Sequence, residues 1–242
     1  DEFVLVYTMG KVASKTIEYS LRKSSYSKNI YHVHFLTEEG VAKADKWNGG
    51  NGAAQKADFI KERIKNRGAA KVQVVTLVRD PVRRDASDFF HNLPVYKKRH
   101  SFTGSSLHEY LECFQQFSPE YGLTWFSDEF DPFLSVNIYD MGFDRSQGYQ
   151  IYNLPLYEIL VIRVEDLDCV WPISSRQFFG QDIQLVKHNC SEQKDYFDMY
   201  EAFLQNIKLS DKKLSHIYDS QYACFFYTKE ERERFKQQWA NA

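Results

Sequence analysis

The sequence predicts an α/β fold in three layers: a central parallel sheet of four or five strands covered by helices on both faces. Three observations carry that prediction. Phe3–Tyr7, Val72–Val78 and Ile159–Val164 are short apolar runs rich in β-branched residues, with none of the polar alternation of a half-exposed strand. Between them lie segments with helical spacing and helix-capping residues. No internal repeat, low-complexity tract or break in composition calls for a second domain, so residues 1–242 are read as one.

Taken in order, Phe3–Tyr7 reads as a buried strand ending in a polar turn of small residues. Ile17 and Leu21 are four apart, so a helix over Thr16–Lys23 follows the turn. Ile30–Leu36 is the second strand by its β-branched and aromatic content. Asn48–Gly52 is a loop, and a helix over Ala53–Asn66 stops at Gly68. Val72–Val78 runs straight into Arg79-Asp80-Pro81 and a helix through Phe90, and Pro81 suits a first helical position because no N–H is wasted there. Ser106 with Glu109 forms a capping box for a helix ending near Phe117. Residues 118–154 are aromatic and turn-rich without sustained period, and read as an insertion carrying small strands. Beyond residue 190 the chain reads as helical, over 194–207, 211–219 and 229–239, the last capped by Thr228 with Glu231.

A formal net charge of -2 makes any anion binding local and excludes a general nucleic-acid binder. Aromatics reach 16%, which points to a Phe/Tyr-rich core. No run of about 18 apolar residues and no signal peptide is visible, so no transmembrane segment is expected and the compartment is read as cytoplasmic. Two other readings stay open, membrane association or a trimmed lumenal domain, since the chain opens almost directly on a core strand. Cys113, Cys169, Cys190 and Cys224 lie far apart and form neither a disulfide framework nor a zinc site.

The chemistry concentrates in two strand-to-helix junctions. Gly10-Lys11-Val12-Ala13-Ser14-Lys15-Thr16 joins a buried strand to a helix N-terminus, where unpaired N–H groups and the helix dipole favour an anion. Lys15-Thr16 imitates the last pair of a nucleotide-kinase P-loop, but Ser14 stands where that loop needs its second glycine. At the other junction Arg79 presents a guanidinium fork at a strand end, and Ser87, about two turns on, can face the same anion. The plain alternatives are an ordinary turn and a capped helix whose Arg83 and Arg84 lie at the surface.

The first junction resembles the phosphate turn of sulfotransferases, commonly Lys-Thr-Gly-Ser/Thr-Ser/Thr, with Ala13 in the glycine place and Lys15 in a hydroxyl place. Val78–Phe89 resembles the 3′-phosphate segment of the same family, with Arg-Asp-Pro, a second Arg, and Ser eight residues after the first. The resemblance implies a P-loop NTPase-like sandwich using 3′-phosphoadenosine 5′-phosphosulfate (PAPS) as co-substrate. Lys11 to Thr16 would hold the 5′-phosphosulfate, Arg79 and Ser87 the 3′-phosphate, and Lys11 would neutralise charge on the leaving nucleotide. No metal is called for, and the acceptor is a hydroxyl, of a glycan or glycolipid by preference.

Tyr31-His32-Val33-His34-Phe35 places two imidazoles two apart on a strand, hence on one face. It is similar to the His-x-His of the heparan-sulfate and uronyl 2-O-sulfotransferase branch, which implies that His32 or His34 takes the acceptor's proton. His34 is nearer the strand's C-terminal end, where α/β sites open. A metal pair lacks an evident third ligand, and a packed core histidine is the other alternative for one of the two. Arg163-Val-Glu-Asp-Leu167 resembles a fourth-strand segment of the same enzymes and is expected to be structural. Trp125–Glu129, Tyr139–Tyr152 and Ile217–Glu231 resemble bacterial capsular polysaccharide synthesis proteins, which share the sulfotransferase fold. Two rivals stay open: an ATP-dependent kinase with a degenerate P-loop, and a non-catalytic glycan- or partner-binding scaffold.

Overall fold

The computed structural model describes residues 2–26, 28–100, 103–104, 106–187 and 195–240, the side chains of 99 and 100 excepted. In chain order the elements are β1 (Phe3–Tyr7), α1 (Ser14–Lys23), β2 (Asn29–Val33), α2 (Glu38–Asn48), α3 (Gly52–Lys65) and β3 (Val72–Val78). Then follow α4 (Pro81–His91), α5 (Leu93–His100), α6 (Leu107–Gln115), α7 (Glu120–Trp125), a π-helical turn at Phe126–Phe130, and α8 (Asp131–Leu134). The remainder is a 3₁₀ turn at Ile138–Asp140, β4 (Tyr149–Asn153), β5 (Tyr157–Arg163), a 3₁₀ turn at Val164–Asp166, α9 (Leu167–Phe179), α10 (Phe197–Asn206), α11 (Asp211–Tyr218), α12 (Gln221–Phe226) and α13 (Lys229–Trp239). Two compact units share the chain: residues 1–78 with 125–188, and 79–124 with 189–242.

The first unit is mixed α/β around one five-stranded sheet in the order β2-β1-β3-β5-β4. Every residue of β1 and β3 is buried, including Gln73 and Thr76 of the otherwise apolar β3. Four strands are parallel, with Val4 beside Ile30 and Val74 beside Ile159. The fifth corrects the all-parallel expectation: β4 runs antiparallel to β5, Ile151 opposite Leu160. Its link to β5 is only residues 154–156, closed by Leu154 N–H donating to Tyr157 O at 2.8 Å. A connection so short cannot make a parallel crossover. Helix α1 packs on β1 and β2, α3 on β2, and α9 on β4 and β5.

The stretch 118–154 also departs from expectation, since β4 is its only strand and the rest is short helical pieces and turns. Phe126 and Phe130 are fully buried, but the π-helical turn adds a residue to the repeat and erases the 3.6-residue signal. Helix α2 was not foreseen because Gly40 is its only buried residue, leaving no apolar stripe to see. Nor was α9, whose interior Pro172 argues against a helix. The second strand ends at Val33 rather than Leu36. The start of the helix expected from Lys194 lies outside the described residues, as do His188, Asn189 and Cys190.

The second unit is helical around an aromatic core, as the composition foretold. Phe89 and Phe90 of α4 meet Phe203 of α10, at 5.9 and 5.1 Å between ring centroids, and Phe90 stacks on Tyr110 of α6 at 5.3 Å. Lys213 Nζ donates to the carbonyls of Gln115 and Phe117 at 3.1 and 2.8 Å, satisfying acceptors that α6 leaves open at its C-terminus. The capping box of α13 forms as read, with Thr228 and Glu231 each bonding the other's backbone N–H.

Candidate active site

In the sheet order, the chain leaves β1 for β2 on one side and later returns to β3 on the other. Such a reversal opens a crevice at the carboxyl ends of the strands. The turn after β1 occupies that place. Thr8 and Met9 are buried, Gly10 has open space where a side chain would stand, and Lys11 and Ala13 hold left-handed backbone at φ 70° and 58°. Ala13 is the N-cap of α1 (ψ 20°) and offers no side-chain cap, while its carbonyl accepts from Thr16 N–H at 3.0 Å. Left-handed backbone costs a non-glycine residue about 1–2 kcal/mol. Alternating hands, with negative-φ Val12 between two positive neighbours, turn successive N–H groups toward a concavity of the kind that suits an anion. The N–H groups of Ser14 and Lys15, the first two of α1, add to it, since no earlier turn of the helix can accept from them.

Ser14 and Thr16 are buried at the start of α1, whereas Lys15 is exposed and donates to Glu18 Oε2 at 2.8 Å. Glu18 gathers a network that sequence reasoning missed. Arg22 donates to its Oε1 at 3.1 Å, and His32 Nδ1 lies 3.3 Å from its Oε2. The hydrogen bond from His32, with that from Lys15, outweighs desolvation and holds the Glu18 carboxyl far below the usual range. Burial in turn pushes the His32 imidazole down, against the pull of Glu18. The nearby ammonium of Lys56, on α3, is also lowered by burial, with Glu18 opposing and Lys15 and Arg22 adding to the fall. The spacing 15, 18, 22 on one helix face is the signal that would have found Glu18.

The two histidines stand together, their rings edge to face at 4.6 Å. His32 belongs to β2, and His34 is the first residue past it. His34 Nδ1 is 2.6 Å from Thr8 O, so Nδ1 carries the proton and Nε2 keeps its lone pair. Burial, with a smaller push from His32, lowers its pKa to about 3, so the ring is neutral at pH 7. His32 Nε2 is buried without a hydrogen-bond partner. The structure therefore joins the turn to both imidazoles, one through Lys15 and Glu18 and the other through Thr8.

Arg79 and Ser87 lie in the second unit. Tyr222 Oη fixes the Arg79 backbone, accepting from its N–H and donating to its carbonyl, both at 2.9 Å. Asp80 caps α4 by accepting from Val82 N–H at 3.1 Å and takes a second bond from Tyr218 Oη at 2.6 Å. Burial raises its carboxyl above the usual range. Pro81 is the first helical residue, and Ser87 sits half-buried in α4. Arg84 is a correction: 1% exposed rather than at the surface, it is paired with Asp85 and lies 4.7 Å from the Tyr121 ring centroid. Its neighbour explains the burial, because an adjacent carboxylate supplies the partner that a buried guanidinium needs.

Arg163 donates to Asp166 at 2.5 Å in the turn after β5, the structural role expected there. Lys187 pairs with Asp168 at 3.0 Å, and α5 carries Lys97 and Lys98. Among the described residues no group of three His, Cys, Asp or Glu could hold a metal ion. No helix among them is long and apolar enough to cross a membrane.

A family model described as "Putative capsular polysaccharide synthesis protein" matches residues 103–228, just over half the chain. The chain belongs to this family. The matched region contains Trp125–Glu129 and Tyr139–Tyr152, on which the resemblance to that group rested, and it gives the protein a glycan-related setting. No curated protein and no solved structure matches the chain.

Proposed function

We propose that this family member is a PAPS-dependent sulfotransferase, moving a sulfuryl group to a hydroxyl of a carbohydrate or glycolipid. The observation that carries the proposal is Ala13, which stands in the glycine place of the resembled turn and holds left-handed backbone, a conformation ordinarily left to glycine. A turn that kept only the sequence likeness would have no reason to keep that conformation at an energetic cost. The His-x-His pair and the Arg-Asp-Pro junction support the same reading, and the family's glycan setting supports the acceptor class.

The turn from Lys11 to Thr16 would hold the phosphosulfate end, through backbone N–H groups and the Ser14 and Thr16 hydroxyls. Lys11 stabilises charge on the departing phosphate oxygen. PAPS, when bound, supplies an activated sulfuryl group whose leaving anion needs no protonation. Neutral His34 accepts the acceptor's proton at Nε2, and Thr8 O fixes the tautomer that leaves this lone pair open. A base matched to the working pH contributes roughly 10²–10⁴-fold, and a ring held as neutral as His34 contributes less. Arg79 and Ser87 would bind the nucleotide's 3′-phosphate.

The test is transfer of label from [³⁵S]PAPS to a panel of glycans and glycolipids, alongside thermal stabilisation by 3′-phosphoadenosine 5′-phosphate. Lys11→Ala should remove transfer while the protein still binds the bisphosphate, and Arg79→Ala should weaken that binding. Stabilisation by Mg-ATP with indifference to the 3′-phosphate would instead indicate a kinase. No response to either nucleotide would leave a scaffold.

A further inference from the structure

Glu129 is a buried carboxylate for which the proton-transfer scheme has no use. It is 2% exposed and sits in the π-helical turn. Its Oε1 accepts from Tyr7 Oη at 2.6 Å, from Leu36 N–H at 2.5 Å and from Thr37 N–H at 2.9 Å. Its Oε2 accepts from Thr37 Oγ1 at 2.5 Å. Four donors on one side chain thus tie the last residue of β1 to the segment that leaves β2. Gly40 is kept bare for this arrangement, because a Cβ there would collide with the Glu129 carboxylate. One helical turn earlier, Trp125 Nε1 donates to the carbonyl of His34 itself at 3.1 Å.

His34 lies between these anchors. Its ring is bonded to Thr8, directly after Tyr7, and its chain continues through Phe35 into Leu36. Once Glu129 holds Tyr7 and Leu36 together, the Nδ1 to Thr8 O bond has both ends fixed. A buried carboxylate stays where it is only while its donors surround it, so the tie is stiff. A π-helical turn is itself a costly local departure that tends to persist where a side chain must be aimed.

We infer that Glu129 is a positioning residue for His34, clamping the ends of β1 and β2 so that the imidazole keeps its Nδ1–H tautomer and its place beside the turn. Its action in turnover rests on the sulfotransferase reading; its hold on the ring does not. What counts is the reach of the acceptor rather than its charge. Glu129→Gln keeps an oxygen within reach of Tyr7, Leu36 and Thr37. Glu129→Asp keeps the charge but withdraws it by a methylene.

The experiment follows the His34 ring by ¹H–¹⁵N NMR through a pH titration of the full chain, assigned with His34→Asn. The expected result is an Nδ1–H tautomer and a low pKa in the wild type and in Glu129→Gln. In Glu129→Asp the tautomer signal should become mixed and the titration should move up toward 6.5. Where Glu129→Asp fails to fold, Thr37→Val takes its place; it removes one donor and should shift the ring in the same direction by less. A folded Asp or Val variant whose His34 signals match the wild type overturns the inference, as does a Gln variant as disturbed as Asp. In the transfer assay, Glu129→Asp should lower kcat by about 100-fold with KM little changed, the cost of a misplacement near 1 Å. A wild type without transfer activity would sink the sulfotransferase reading and leave the NMR result to decide the clamp.

Discussion

His34 makes the stability of this protein depend on pH in a way that can be worked out. Its pKa falls from 6.5 in the unfolded chain to about 3 in the folded one, because burial disfavours the charged ring. A depressed pKa means that the folded state refuses a proton the unfolded state accepts. The stabilisation is therefore complete above pH 6.5 and is lost as pH falls toward 3. At pH 5 nearly every unfolded chain carries the proton and almost no folded chain does. The loss between pH 7.5 and 5 is then about 2 kcal/mol from this residue. His32 acts with the same sign, while Glu18, also depressed, contributes only below its ordinary value of 4.5. Urea unfolding at the two pH values measures the sum. His34→Asn isolates the part in question, since an amide can donate to Thr8 O but takes up no proton. The variant should lose about 2 kcal/mol less than the wild type on going to pH 5. Equal losses in the two proteins would refute the burial argument.

Three other outcomes are expected. Ala13→Gly should stabilise the fold by about 0.5–1 kcal/mol in urea titrations, since glycine relieves the left-handed strain but has more backbone freedom to lose. Gly40→Ala should cost about 2–3 kcal/mol, because the new methyl displaces the Glu129 carboxylate from its donors; a midpoint unchanged at constant m-value would contradict it. Tyr218→Phe removes a donor from buried Asp80 and should cost about 1–3 kcal/mol. Asp80's raised pKa fixes the sign of its pH dependence, as a buried carboxyl destabilises the fold once it ionises. The penalty should thus grow as pH rises above the ordinary carboxyl range.

What could be seen in advance follows the range of the forces involved. β1 and β3 were placed to the residue because a mostly apolar, β-branched run bounded by polar residues is a local signal. The α13 capping box was equally local, residue 228 talking to residue 231. The facing histidines followed from strand geometry, and the ring distance of 4.6 Å agrees. Leu36 misled because it is fully buried although it lies past the strand, its N–H bonded to Glu129 rather than to a neighbouring strand, so an apolar residue extended the strand on paper. Glu129 itself was invisible: no local rule connects residue 129 with 7, 36 and 37. Arg84 was misjudged for a related reason, its burial depending on Asp85, Asp88 and a distant Tyr121.

Each compact unit is assembled from two separated lengths of chain, and this sets how the protein can be made and cut. A ribosome must pass β5 and α9 before the sheet unit owns all its parts; three strands emerge earlier and wait for the hairpin that completes their sheet. The boundaries of the family match make the point from the other direction. Excised at 103 and 228, the polypeptide would keep β4 and β5 but lose β1, β2 and β3, along with the turn after β1 and both imidazoles. Such a piece would carry the family's signature and none of its floor.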